Sequence, residues 1–217
     1  MIRFKAVIFD LDGTLLDTLE DLAQCMNRVL ARNGLPVHPK EAYRFFVGSG
    51  MEKLVARALP GQLRDKESLR RFKDDMMEEY AAHWHDHTEP YEGIESMLAA
   101  LEEKGVTKTV FSNKPDPFVK CAVRRFFSRF SFAHVAGACD GVPIKPDPAG
   151  AVQIAEKVGV PTAEFLYAGD TGIDMKTAVA AEMFPVGVLW GFRDARELRD
   201  AGARLLVKKP EELAALC

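Results

Sequence analysis

At 217 residues the chain has room for one large domain or for a core carrying an insertion. A net charge of −3 and a pI near 6.0 give no bulk attraction to nucleic acid or to an anionic membrane. Hydrophobic residues make up 47%, which excludes a disordered chain, and no apolar stretch approaches the ~20 residues that span a bilayer. Met1-Ile2-Arg3-Phe4-Lys5 runs straight into an apolar strand without signal-peptide anatomy, so a cytoplasmic protein is expected. Cys25, Cys121, Cys139 and Cys217 match no paired zinc pattern and read as free thiols.

The first strand is predicted in Phe4–Phe9, a β-branched run with no polar face, as in a strand buried on both sides. It breaks into Asp10-Leu11-Asp12-Gly13-Thr14. From Thr18 to about His87 the pattern is helical throughout. Helices are expected over Thr18–Leu30, Lys40–Val47, Met51–Leu59 and Asp65–Trp84, separated by Gly34, Pro36, Pro39, Gly48-Ser49-Gly50 and Pro60-Gly61. After Pro90 the texture alternates. Helix Ile94–Glu103 precedes strand Thr107–Phe111, and helix Asp116–Phe130 precedes a strand near His134–Ala136. Helix Pro148–Val158, strand Phe165–Ala168, helix Gly172–Ala181 and strand Phe184–Leu189 follow. Arg204–Val207 and Glu211–Leu216 read as a last strand and a short helix.

This alternation predicts an α/β fold, a Rossmann-like three-layer core with a parallel sheet. The core would comprise residues 1–15 and 90–217, and residues 16–89 would form an α-helical cap inserted after the first strand. Leu15-Leu16-Asp17 and Glu89-Pro90-Tyr91 are the expected hinges, and an insertion at that edge serves as a lid.

Four segments carry the chemistry. Asp10 and Asp12 stand where a sheet presents its carboxyl edge, and two carboxylates so close repel unless a cation or a shared proton intervenes. Asp10 is assigned as the nucleophile that accepts a phosphoryl group, and Asp12 as the acid for the leaving oxygen and then the base for water. Gly13 permits a tight turn, and Thr14 holds it with its hydroxyl and is a candidate substrate contact. Ser112 and Asn113 offer a hydroxyl and an amide to phosphate oxygens. Lys145, in Lys145-Pro146-Asp147-Pro148, can neutralise phosphate. Gly169-Asp170-Thr171-Gly172-Ile173-Asp174 places one acid at a strand end and a second in the next helical turn. Hard oxygen ligands there suit Mg2+, held by Asp10, the Asp12 backbone carbonyl and Asp170. Asp174 is a direct ligand, a water-mediated one or an acid on the helix dipole.

These four motifs, in this order, resemble those of the haloacid dehalogenase superfamily. The resemblance spans nearly the whole chain and implies the same core, a helical cap and Mg2+-dependent phosphoryl transfer through an aspartyl-phosphate. The second aspartate argues for the phosphatase branch. Within it the chain is similar to phosphoglycolate phosphatases, through Phe4–Asp10, Leu15-Leu16-Asp17-Thr18, Val47-Gly48-Ser49-Gly50 and Trp190-Gly191. Two positions depart: Ser112 stands where threonine is frequent, and Glu182 stands where glycine is usual.

The expected activity is therefore Mg2+-dependent hydrolysis of a small phosphorylated metabolite, 2-phosphoglycolate first, by a monomer or homodimer with neither nucleic acid nor membrane as partner. A β-phosphoglucomutase-type mutase or a pyrophosphatase would use the same core, and a non-catalytic phosphate-binding module is the rival of another class. In the cap, Ser49 and Gly50 are candidate substrate contacts, with Lys53 and Arg57 nearby for a substrate carboxylate. His83 and His87, four apart, read as a solvated helix end rather than a metal site.

Overall fold

The computed structural model describes residues 4–217. In chain order, β1 (Ala6–Phe9) leads to the short β2 (Leu16–Asp17), then to α1 (Leu19–Arg32), α2 (Lys40–Phe46), α3 (Met51–Ala58) and α4 (Lys66–His83). β3 (Glu89–Pro90) and α5 (Ile94–Glu103) precede β4 (Thr107–Pro115), α6 (Asp116–Phe126), β5 (His134–Ala138) and α7 (Ala149–Val158). β6 (Phe165–Gly169), α8 (Gly172–Ala180), β7 (Phe184–Val188), α9 (Ala195–Asp200), β8 (Leu205–Val207) and α10 (Pro210–Leu216) complete the chain. It divides into two compact units, residues 1–16 with 90–217, and residues 17–89. The two crossings between them, β2 and β3, pair as a two-stranded ribbon.

The α/β unit is built on a six-stranded sheet in the order β5-β4-β1-β6-β7-β8, with every neighbouring pair parallel. β1 is buried over its whole length, which is what its unbroken apolar run requires. It lies between β4 and β6, so the chain turns to opposite sides of β1 for its two neighbours. That is the switch point where open α/β sheets leave a crevice at their carboxyl ends. Ala6, Ile8, Phe165 and Tyr167 pack with Phe111 and with Ala151, Ile154 and Ala155 of α7 in one apolar core.

Several segments differ from expectation, among them α6, which ends at Phe126 rather than Phe130. β4 does not stop at Phe111 but runs to Pro115, with a shift in its pairing to β5 between Phe111 and Pro115. Ser112, Asn113 and Lys114 occupy that irregular stretch and are buried. The sequence reading also passed over α9. Asp194 caps it, accepting from the backbone N–H groups of Arg196 and Glu197.

In the helical unit α1 packs on α4, and α2 and α3 join them. Leu22, Ala23, Met26, Val29 and Leu30 line the buried stripe of α1, and Phe72, Met76 and Tyr80 that of α4, at the spacing an amphipathic helix demands. Buried Asp21 accepts from the backbone N–H groups of His87 and Thr88 and from the Thr88 hydroxyl, which ties the last residues of the unit to α1. α4 ends at His83, whose ring pairs with Asp86 at 2.8 Å, so His87 lies beyond the helix. No described helix is long and apolar enough to cross a membrane.

Candidate active site

β4, β1 and β6 are adjacent, so their carboxyl ends bring Ser112–Lys114, Asp10–Thr14 and Asp170 to one edge of the sheet. The Asp10 carboxylate accepts from the Leu11 backbone N–H (2.7 Å) and faces the Lys145 ammonium (3.0 Å), both through Oδ1.

Lys145 arrives from the segment before α7 and is fully buried. Its Nζ donates to Asp174 Oδ1 (2.7 Å) and to the Phe111 carbonyl (3.1 Å). Burial alone would lower the ammonium's pKa, but Asp10 and Asp174 outweigh it and hold the pKa well above that of an ordinary lysine. The Asn113 amide, expected on a phosphate, ties this segment down. Its Oδ1 accepts from the Lys145 backbone N–H (2.8 Å) and its Nδ2 donates to the Lys145 carbonyl (3.0 Å). Ser112 Oγ accepts from the Lys114 backbone N–H.

Asp170 is fully buried and accepts from the Thr14 hydroxyl (3.0 Å) and the Phe192 backbone N–H (2.9 Å). Asp174 caps α8 in a reciprocal arrangement with Thr171, whose hydroxyl donates to Asp174 Oδ2 at 2.6 Å. Two glycines make room. A Cβ on Gly13, where φ is +84°, would lie 2.3 Å from Asp170 Oδ2, and one on Gly191 would lie 2.3 Å from the Gly13 carbonyl oxygen. Trp190 Nε1 donates to the Thr14 carbonyl (2.9 Å). Trp190, Gly191 and Phe192 thus fix the Asp10–Thr14 loop and Asp170, whereas Trp190-Gly191 entered the sequence reading only through the resemblance.

Carboxylate oxygens of Asp10, Asp170 and Asp174 lie within 4.8 Å of one another, the one such metal-binding group among the described residues. Burial raises the Asp10 pKa to about 7, with the Asp174 and Asp12 charges adding to it and Lys145 opposing. Burial, then Asp174 and Asp10, push Asp170 well above the usual carboxylate range. Asp12, outside that trio, pairs with Lys114 Nζ at 2.8 Å. Four carboxylates thus face two ammonium groups, a surplus of two negative charges when all are ionised. An oxygen-rich pocket with that surplus fits a hard divalent cation.

Ser49 and Gly50 stand in the helical unit. Ser49 Oγ accepts from Arg57 Nη2 at 2.9 Å, and Arg57 Nη1 also holds the Phe45 and Phe46 carbonyls. Gly50 precedes α3 with φ +86°.

The comparisons with known proteins agree with this geometry. Residues 7–188 match the family model of haloacid dehalogenase-like hydrolases. A phosphoglycolate phosphatase of Pseudomonas putida is 33% identical over 211 residues, covering 94% of this chain and 75% of the relative. That of Pseudomonas savastanoi pv. phaseolicola is 31% identical over 217 residues, covering 98% and 79%. A crystal structure from Lactobacillus delbrueckii subsp. bulgaricus, to which the same activity is ascribed, superposes with a TM-score of 0.90 at 31% identity, covering 98% of this chain and 97% of its own. The chain belongs to the haloacid dehalogenase-like hydrolases.

Proposed function

We propose that this phosphatase hydrolyses 2-phosphoglycolate to glycolate and phosphate, with Asp10 as nucleophile and Mg2+ as cofactor. The observation that carries the chemistry is the Asp10–Asp170–Asp174 cluster with Lys145 buried against it. The substrate rests on the names of the relatives.

In the first step Asp10 Oδ2 attacks phosphorus, the bond to the glycolate oxygen breaks, and Asp12 gives that oxygen its proton. In the second, Asp12 takes a proton from water, which attacks the aspartyl-phosphate and frees Asp10. Lys145 offsets charge on the nucleophile and the phosphoryl oxygens, aided by the Ser112 hydroxyl. Thr14 and Phe192 orient Asp170, and Thr171 orients Asp174. Mg2+, bound by the carboxylates of Asp10 and Asp170, with Asp174 beside them and the Asp12 carbonyl, would offset the surplus charge and polarise the phosphoryl group. We read the helical unit as the family's cap, with Ser49 and Gly50 as its substrate-facing turn. The four free cysteines support a reducing compartment, the cytoplasm.

Asp10→Asn keeps the shape of the side chain and removes its charge. It is expected to abolish turnover of p-nitrophenyl phosphate, and retained turnover would exclude Asp10 as nucleophile. In a panel of phosphorylated metabolites, 2-phosphoglycolate is expected to give the highest kcat/KM. A nucleotide or sugar phosphate ahead by a wide margin would remove the substrate and leave the reaction class.

A further inference from the structure

The two ammonium groups of the site divide it. Lys145 sits against Asp10 and Asp174, on the side of the nucleophile. Lys114 sits against Asp12, the acid proposed above for the leaving group. It comes from the irregular end of β4, and its side chain is 3% exposed against 12% for Asp12. A lysine this buried is costly without a counter-charge, so its position beside the acid is built rather than incidental.

Glycolate, the leaving group of the reaction proposed above, carries its carboxylate one carbon from the ester oxygen. Asp12 must reach that oxygen to protonate it. The Lys114 ammonium lies 2.8 Å from Asp12 Oδ1 and is the cation beside that acid, so it is the group that a carboxylate one carbon from the same oxygen would meet. Lys145 already faces two carboxylates, at 2.7 and 3.0 Å, and its charge is committed to the phosphoryl side.

We infer that Lys114 binds the substrate carboxylate while it orients Asp12, and so selects 2-phosphoglycolate over phosphoesters that lack an acid at that carbon. The assignment rests on the phosphoglycolate reading. A neutral or bulky leaving group would leave the ammonium facing an unpaired substrate edge, and a hydroxymethyl group in place of the carboxylate forgoes a charge-assisted hydrogen bond.

The test compares 2-phosphoglycolate with 2-hydroxyethyl phosphate, which replaces the carboxylate by CH2OH, in the wild type and in Lys114→Met, Lys114→Gln and Lys114→Arg. The wild type is expected to favour phosphoglycolate by about 30-fold in kcat/KM. Lys114→Met and Lys114→Gln should erase most of that ratio, chiefly through a higher KM for phosphoglycolate, and Lys114→Arg should retain part of it. An equal loss on both substrates would leave Lys114 with Asp12 alone and overturn the assignment. A second measurement needs no variant: 3-phosphonopropionate should inhibit the wild type about tenfold more tightly than 3-hydroxypropylphosphonate. Equal inhibition by the two overturns carboxylate recognition even if the neutral variants fail to fold. The two failures are distinct. A wild type indifferent to the carboxylate loses the substrate reading and this assignment together, whereas a selective wild type with unselective loss in Lys114→Gln loses Lys114 only.

Discussion

Thr14 Oγ1 donates to Asp170 Oδ1 across 3.0 Å, joining residues 156 positions apart in the chain. The hydroxyl aims one oxygen of a fully buried carboxylate, and the Phe192 backbone N–H aims the other. Thr14→Val keeps the volume and removes the donor. It is expected to weaken the apparent Mg2+ affinity by about 10-fold, read from activity as a function of Mg2+ concentration. An unchanged titration would show that Asp170 needs no such partner.

Gly13 is required twice over, by a φ of +84° and by Asp170 Oδ2 at 2.3 Å from any added Cβ. Gly13→Ala should lower kcat by about 100-fold or more by displacing Asp170. Gly34 shares the left-handed backbone, at φ +65°, but has open space around it. Gly34→Ala should cost about 1 kcal/mol of stability and leave kcat alone. Equal kcat values for the two variants would refute the steric account.

The metal-free protein should lose stability as pH rises. Asp10 has a folded pKa of about 7, above its ordinary 3.8, so between those values the folded state holds a proton that the unfolded state has released. The contribution is full below about pH 4 and is lost as pH rises toward about 7, at up to about 1.4 kcal/mol per pH unit. Asp170, shifted the same way, adds to the fall. Mg2+ should therefore raise Tm more at pH 8 than at pH 5, checked by thermal melts with and without the ion. Equal increments at both pH values would argue against a carboxylate-bound cation.

Glu182 lies past the end of α8 in the left-handed region, with φ 58°. Its N–H bonds the Val179 carbonyl (3.1 Å) and that of Met183 bonds the Ala178 carbonyl (2.9 Å), the two closures of a Schellman cap. A glycine adopts this backbone without Cβ strain. Glu182→Gly should stabilise the protein by about 1 kcal/mol, seen as a higher denaturation midpoint with unchanged kcat. A lower midpoint would mean that the exposed glutamate contributes more than its backbone strain costs.

What could be seen in the sequence was whatever is local. β1 declares itself because a strand covered on both faces needs no polar positions, and Asp10 and Asp170 stand out because each ends such a run. Lys114 stood in the second motif without a role, because its partner is 102 positions away and because Ser112-Asn113-Lys114 looks like the end of β4 rather than its continuation. The Asn113 amide fits a phosphate or a backbone equally well by type, and only the approach of the Lys145 segment decides between them. Trp190 and Phe192 act through an indole N–H and a backbone N–H, which leave no spacing to recognise. α9 did carry a signal, Asp194 three residues before Glu197, the spacing of a capping box.

The placement of β1 also sets an order of assembly. Ala6 pairs with Thr107 on one side and with Phe165 on the other. β1 is thus made about 100 residues before the first of its two neighbours, β4, and well before the second, β6. The contacts among α1–α4 all close within residues 17–89, so those helices can consolidate while Ala6–Phe9 waits unpaired. Newly synthesised chains are most exposed to aggregation during that interval, before the strand that leads into Asp10 finds either neighbour.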